Sequence, residues 1–564
     1  MNLIPKINGK IYTSGGTLKV KLPLTYEGDC PFADQFELIR AEETACLTFL
    51  KDDTLPAEGY RIYIDPQGIA IASAGDAGQY YGLVTLMSLI RETKGELSCG
   101  SIEDAPRCEW RGMMLDTGRH FFGVSEVKKL LDRMAALKMN RFHWHLSEDQ
   151  GYRIESKRFP KLNEIGSWRK GMPELEKDSP YLSEDGTRYG GYYTQEEIRE
   201  VVAYAAKRQI MVIPEIDLPG HTSAIVAAYP ELSCSGEPCE VKAAGGIFPR
   251  ILCAGEPKVY EFLYALLDEV TELFPAPYFH LGGDEAPKSE WKQCEKCQAL
   301  IQKEQLGSEE GLQAYFTKKL VDYLALKGKT AIGWNEILKS GYLAADTYEL
   351  PEEAASSVTS PVCQYWAEMG KPYVLKDVAK GQRFIFSNNQ CFYLDYPHAM
   401  VTLKAAYLCE PNVNWDFDIP SEQVLGVETP LWSERVPTDE ALEKLVFPRL
   451  MAVAENGWSA ERDFDEFLTR LAAYEAVLSE AGVCYTPWEE ANVHGKEGVA
   501  QILQFMQGMN AMTDGSAGIE IPEDVKKELA ESGMRFMSGF FRYSYTEEDK
   551  AYLTQLMGQQ MEQL

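Results

Sequence analysis

A chain of 564 residues with 45% hydrophobic and 25% charged residues has the composition of a globular protein with a large core. Its formal net charge of −30 disfavours nucleic acid and anionic membrane surfaces as partners and points to a neutral or cationic small molecule. No uninterrupted apolar run approaches the ~20 residues of a membrane span, and the opening "MNLIPKINGKIYTSGG" shows no secretory signal. The 13 cysteines, an odd number scattered along the chain, suit reduced thiols, so a cytoplasmic location is expected.

Residues 1–105 read as a small α+β domain. "TLKVKLPL" and "GYRIYIDPQGIAIAS" alternate as strands do, and "AGQYYGLVTLMSLI" follows with helical spacing. From 106 to 465 the pattern becomes strand, helix, strand, helix. The strand candidates are "RGMMLD" (111–116), "RFHWHL" (141–146), "IMVIPEI" (210–216), "YFHLGG" (278–283), "TAIGW" (330–334), "PVCQYW" (361–366), "RFIFSN" (383–388) and "VLGVETPLW" (424–432). Thr194 and Glu197 form a capping box at the start of one intervening helix. Pro448 should kink or interrupt the helix "ALEKLVFPRLMAVAENGW". This alternation predicts an enlarged (β/α)8 barrel, an α/β fold. Residues 466–564 read as a helical region, with "GVAQILQFMQGM", "PEDVKKELAESGM" and "EDKAYLTQLMGQQMEQL" as helices. Its first helix is expected on the barrel, and the rest as a helical appendage or a homo-oligomer contact.

Active sites of such barrels lie at the C-terminal ends of the strands, so strand ends become candidate site residues. The first strand runs into Asp116 and Arg119-His120, and the second into Glu148-Asp149. The third gives Glu215, Asp217 and His221, and the fourth Asp284-Glu285. The fifth and sixth end at Trp334 and Trp366, the seventh is followed by Tyr393 and Asp395, and the eighth by Trp432 and Glu434. Acids that bind hydroxyls and aromatic faces that stack on pyranose rings make this rim suited to carbohydrate. Taken singly, each residue has a plainer use: a strand-end Trp packs a core, an Arg pairs with an acid, and His221 caps a turn.

Asp284 and Glu285 are adjacent, whereas glycosidases commonly set two carboxylates across the scissile bond. Neighbouring strand residues point in opposite directions, so this pair should diverge. With Glu285 as the acid, one solution is a substrate that brings its own nucleophile, the acetamide of a 2-acetamido sugar, with Asp284 holding that group.

"LDTGRHFFG", "NRFHWHLSEDQGYRIE", "PEIDLPGHTSA", "HLGGDE", "GWNEIL" and "LWSERV" together resemble glycoside hydrolase family 20, the β-N-acetylhexosaminidases, over roughly 107–460. The resemblance implies a small α+β domain before the barrel, and Glu285 as general acid and then base. It also implies that Asp284 orients the acetamide and stabilises an oxazolinium-type intermediate. Trp334, Trp366 and Trp432 would wall the acetamide pocket and Tyr393 would hydrogen-bond its carbonyl. Arg119, Glu434 and Asp395 would bind the non-reducing sugar. His221 would pair with an acid after the second strand. The family often has Asp-Asp where this chain has Glu148-Asp149, so Glu148 is the expected partner, with a longer reach. No cofactor is implied.

Two other functions compete. His143 and His145 share a strand face, as a metal-dependent amidohydrolase would need, but no histidines follow the fifth and sixth strands. A non-catalytic sugar-binding barrel would share the tryptophans, and the two acids argue for turnover. Cys294 and Cys297 form a CxxC, with Cys234 and Cys239 upstream. That irregular first spacing favours free thiols over a structural zinc.

Overall fold

The computed structural model describes residues 1–339, 360–367, 378, 381–410, 413–414, 417–512 and 539–561. A closed barrel is built from eight parallel strands in sequential order. They are β1 (Trp110–Asp116), β2 (Arg141–His145), β3 (Met211–Glu215), β4 (Tyr278–His280), β5 (Thr330–Trp334), β6 (Val362–Tyr365), β7 (Phe384–Phe386) and β8 (Val424–Leu431). Each strand candidate supplies one of them. β8 closes onto β1 with Gly426 opposite Trp110 and Leu431 opposite Leu115. Only glycine fits there, because a Cβ on Gly426 would lie 2.0 Å from the Trp110 carbonyl oxygen.

The barrel interior is a packed core rather than a pore. Trp110, Ile213, Ile332, Val362 and Ile385 form an apolar plug at the bottom. Above it lies a polar layer in which Glu428 accepts from Trp110 Nε1 at 2.8 Å and from Gln364 Nε2 at 2.7 Å. His143 Nδ1 faces the same carboxylate at 2.8 Å. This filling leaves the C-terminal strand ends as the open rim.

Of the surrounding helices, Gln195–Ala206 starts at the predicted capping box and buries Ile198, Val201 and Ala205. Such a cap stabilises a helix by about 1 kcal/mol. Pro448 divides the last barrel helix into Asp439–Val446 and Arg449–Trp458. It has no N–H to continue the ladder, and the second piece is buried on all sides.

The N-terminal residues form a seven-stranded mixed sheet covered by the helix Asp76–Thr93, which buries Tyr81, Leu83 and Leu86. "TLKVKLPL" is not one strand. It is the end of Lys10–Lys19 and the start of Leu24–Glu27, with a break before Pro23, which cannot donate to a ladder. This sheet docks on the N-terminal ends of β1 and β2, opposite the rim. Glu58 pairs with the buried Arg111 at 2.9 Å, and Asp104 accepts from Lys138 Nζ at 3.2 Å and from Trp458 Nε1 at 3.1 Å.

The helix Phe464–Glu480 packs Phe467 and Leu471 into the main core. Helices Gly495–Met512 and Glu547–Met561 follow, and "PEDVKKELAESGM" lies outside the described residues. Val499, Ile502, Phe540 and Tyr545 cluster with Ala399, Met400 and Val401. The C-terminal helices thus brace the loop after β7, which carries Tyr393 and Asp395. Among the described residues, no helix is long and apolar enough to cross a membrane.

Candidate active site

The chain leaves β4 at His280 and reverses through Gly282 and Gly283, whose φ angles of 64° and 104° favour glycine. A Cβ on Gly282 would lie 1.8 Å from Asp217 Oδ1, and the Gly283 N–H donates to that oxygen at 3.0 Å. Two side chains beside this turn, Glu285 (φ 48°) and His221 (φ 50°), are also left-handed. That conformation costs a non-glycine residue about 1–2 kcal/mol and persists where its surroundings impose it.

The expected divergence of Asp284 and Glu285 is therefore corrected. β4 ends at His280, so the twofold alternation of a strand no longer applies at 284–285. Both carboxylates turn toward one imidazole instead: Asp284 Oδ2 is 3.8 Å and Glu285 Oε2 3.6 Å from His221 Nε2. Asp284 is buried and Glu285 is exposed at the rim. Asp284 Oδ1 has no hydrogen-bond partner among the described residues.

His221 is anchored from behind. Its Nδ1 lies 2.7 Å from Glu148 Oε1 and 3.3 Å from Asp149 Oδ2, so Glu148 spans the distance expected of it. Glu148 also faces His145 Nε2 at 3.2 Å and Arg119 at 3.4 Å. Burial by itself raises the Glu148 carboxyl, but Arg119 and His221 outweigh it and hold it well below the usual range. Burial lowers His221, yet Glu148 reverses this and holds the ring well above an ordinary histidine. Asp284 moves the other way. Burial, then the charges of Asp217, Glu336 and Glu285, raise its carboxyl well above normal against the pull of His221. Asp217 is pushed up to about 7, first by burial and then by Glu215 and Glu148.

Arg119 extends the network across the rim. It meets Asp116 at 3.2 Å and Glu434 at 3.2 Å, and its guanidinium lies 4.9 Å from the Trp432 ring centre. Trp432 stands 5.6 Å from Trp334 and 6.3 Å from Tyr393, which stacks on Trp366 at 6.3 Å. Trp334 Nε1 donates to Glu215 Oε1 at 3.0 Å and Trp366 Nε1 to Glu336 Oε2 at 3.2 Å, which fixes both indoles. Asp395 is pushed up to about 8 by burial and by Glu434. Arg119, Glu148, His221, Asp284, Glu285, Trp334, Trp366, Tyr393, Trp432 and Glu434 thus share one rim, and Asp395 feels the charge of Glu434 there.

Some members were not singled out. The strand ends and motifs point to neither Glu336 nor Arg449, and they mark Asp217 only as a strand-end acid. Arg449 donates to the carbonyl oxygens of Tyr396 at 2.8 Å, Val401 at 2.9 Å and Leu394 at 2.6 Å, clamping the loop that carries Tyr393 and Asp395. Glu336, two residues beyond Trp334 in "GWNEIL", could have been found from that motif. Arg449 could not, since it sits inside an apolar helical pattern far from any strand end.

The histidine pair of the amidohydrolase reading faces buried carboxylates: His143 meets Glu428 and Glu215, and His145 meets Glu215 and Glu148. His143 is raised to about 9, because Glu215 and Glu428 overcome the effect of burial. Free thiols are the expectation from the sequence, yet four cysteines come close enough to hold a metal, and they are not the four weighed there. Cys253, rather than Cys239, joins Cys234, Cys294 and Cys297.

Residues 108–461 match the glycosyl hydrolase family 20 catalytic domain and residues 31–105 match domain 2 of that family. The chain is 36% identical over 461 residues to a β-hexosaminidase of Porphyromonas gingivalis, covering 77% of this chain and 55% of that protein, so it spans about half of that relative's length. A β-hexosaminidase of Akkermansia muciniphila is 33% identical, over 78% of this chain and 88% of that protein. Among solved structures, the β-N-acetylhexosaminidase of Bacteroides fragilis superposes with a TM-score of 0.74 at 34% identity, over 87% of this chain and 98% of that chain. An exo β-N-acetylglucosaminidase of Vibrio harveyi, solved with N-acetylglucosamine, gives 0.72 at 30% identity, over 86% and 78%. The match extends through most of the barrel and the domain before it, and the chain belongs to glycosyl hydrolase family 20.

Proposed function

We propose that the protein is an exo-acting, retaining β-N-acetylhexosaminidase. It removes terminal non-reducing GlcNAc, with GalNAc as an open second substrate, from oligosaccharides or glycoconjugates. The observation that carries this reading is the convergence of Asp284 and Glu285 on His221, beside an aromatic pocket of Trp334, Trp366, Tyr393 and Trp432. A carboxylate pair on one side of the sugar suits an attack that comes from the substrate itself.

In the first step Glu285 gives its proton to the glycosidic oxygen as the bond from that oxygen to C1 breaks. The acetamide carbonyl oxygen forms a bond to C1, giving an oxazolinium ion and the free leaving group. Asp284 accepts a hydrogen bond from the acetamide N–H and stabilises the positive charge that grows there. Glu285, now a carboxylate, takes a proton from water as the water oxygen attacks C1 and reopens the ring. Two inversions at C1 give net retention.

Burial and neighbouring carboxylates raise Asp284, so its ionised form is poorly compensated while the site is empty. A cation forming in the substrate supplies the missing compensation, which favours the transition state over the ground state. The three tryptophans enclose the acetamide methyl, and Tyr393, kept neutral by burial, donates to the acetamide carbonyl. Arg119, Glu434 and Asp395 take the outer hydroxyls, and Glu148 acts through His221 by fixing its ring.

A chromogenic aryl 2-acetamido-β-glucoside tests this reading against a non-catalytic sugar-binding barrel. Steady release of the aryl alcohol, sharply slowed in Asp284→Asn, is expected. Binding without release would refute it.

A further inference from the structure

Beside the rim, four sulfurs from distant parts of the chain meet. Cys253 Sγ lies 3.7 Å from Cys294 Sγ and 3.7 Å from Cys297 Sγ, and Cys234 Sγ lies 3.9 Å from Cys297 Sγ. All four fall within 4.8 Å of one another. Disulfides need about 2.05 Å, so these are not bonded pairs. A tetrahedron whose corners stand about 2.3 Å from its centre has edges of about 3.8 Å, the separation found here.

The backbone is shaped to bring the sulfurs together. Ser233 bridges to Leu252, and the Cys253 N–H donates to the Leu232 carbonyl at 2.8 Å, so Cys234 and Cys253 sit on adjoining segments. Cys294 and Cys297 form a C-x2-C knuckle at the start of the helix Glu295–Lys303. The two halves touch at Gly255, where an added Cβ would lie 2.4 Å from the Cys297 nitrogen. Lys296, between the two knuckle cysteines in sequence, pairs with Glu256 at 2.6 Å and so ties the knuckle to the segment that carries Cys253. Cys253 and Cys297 are fully buried, and Cys294 nearly so. Free buried cysteines pack as small hydrophobes with no preferred count or geometry; four from distant parts of the chain at tetrahedral spacing suit a metal thiolate centre.

We propose that Cys234, Cys253, Cys294 and Cys297 bind a structural Zn²⁺ as a tetrathiolate. A closed four-cysteine shell leaves no position for substrate or water, so the ion acts as a clip and not as a catalyst. It fastens the long segment after β3 to the segment after β4. The first carries His221, and its Lys242 N–H and Ala244 carbonyl bond to Asp149 and Gln150 at the rim. The second begins with Asp284 and Glu285. Binding Zn²⁺ displaces the thiol protons to solvent and changes no oxidation state.

The full chain, made without a metal-affinity tag and purified under reducing conditions, is tested by elemental analysis after gel filtration. About one zinc per chain is expected, released by a mercurial reagent. Cys253→Ser and Cys297→Ser should lose the metal, whereas Cys239→Ser, whose sulfur lies outside the cluster, should keep it. Co²⁺ taken up in place of Zn²⁺ should show the visible bands of tetrahedral thiolate coordination. The proposal is overturned by wild-type protein that neither contains zinc nor takes it up after reduction. Iron in zinc's place, or zinc kept undiminished in the Cys253→Ser/Cys297→Ser double variant, also overturns it. Metal content and uptake by wild-type protein decide the question even where a variant fails to fold.

Discussion

Replacing Asp217 by Asn should make the protein more stable at neutral and alkaline pH and leave it little changed in acid. Asp217 is fully buried beneath the β4 turn, and its carboxyl is pushed up to about 7 by burial and by Glu215 and Glu148. An unfolded aspartate titrates near 3.9. The folded state therefore holds the proton more tightly, so this group favours folding fully below pH ~4 and loses that contribution as pH rises toward 7. The loss grows by about 1.4 kcal/mol per pH unit until pH reaches the folded value, on the order of 1–2 kcal/mol at pH 5 and 3–5 kcal/mol at pH 8. Asparagine keeps an oxygen to accept the Gly283 N–H but cannot ionise. Its advantage over wild type in thermal unfolding should therefore grow between pH 5 and pH 8 by roughly 2–3 °C for a chain of this size. Removing the Asp217 charge also lowers the Asp284 carboxyl. If ionised Asp284 is the active form, the acidic limb of kcat/KM should move to lower pH. Melting temperatures that stay parallel across this range would refute the assignment of a raised carboxyl at Asp217.

Glu285→Gln should lose about 10²–10⁴-fold in turnover of poor leaving groups, and less with activated aryl glycosides that leave without a proton, as steady-state kinetics on both would read. Asp284→Asn should lower kcat by about 10²–10³-fold with unchanged circular dichroism and a melting temperature no lower than that of the wild type. Near wild-type kcat would remove Asp284 from its assigned role. Far from the rim, Glu455 holds Arg470 through two bonds of 2.7 and 2.6 Å, joining the Phe464–Glu480 helix to the barrel. Glu455→Ala leaves the buried arginine with only the partly exposed Glu466 at 3.4 Å and the Leu3 carbonyl at 2.7 Å, and should cost about 3 kcal/mol of stability, read by denaturant unfolding.

The barrel was legible because each strand is short, apolar and bounded by helical spacing, so one period marks its existence and its end points to the rim. That logic found Arg119, Glu148, His221 and the tryptophans without any knowledge of distance. It failed where the backbone leaves a regular period. Two glycines and two left-handed residues turn Asp284 and Glu285 toward one imidazole, and no alternation rule describes such a turn. It failed again where partners are far apart in sequence. Cys253 lacks a nearby cysteine and reaches Cys297 only through the approach at Gly255, while Cys239 looked closer in sequence but lies elsewhere. Arg449 was hidden for a related reason: a charged residue in an apolar helix has no pattern that tells which carbonyls it will meet.

The account rests on the acetamide oxygen as nucleophile, and its nucleophilicity can be tuned without altering the fit of the sugar. Aryl glycosides of GlcNAc carrying acetyl, fluoroacetyl, difluoroacetyl and trifluoroacetyl groups should show kcat falling steeply at each fluorine, because each withdraws electrons from the attacking oxygen. A flat series, or isolation of the sugar esterified to a carboxylate of the protein, would contradict it.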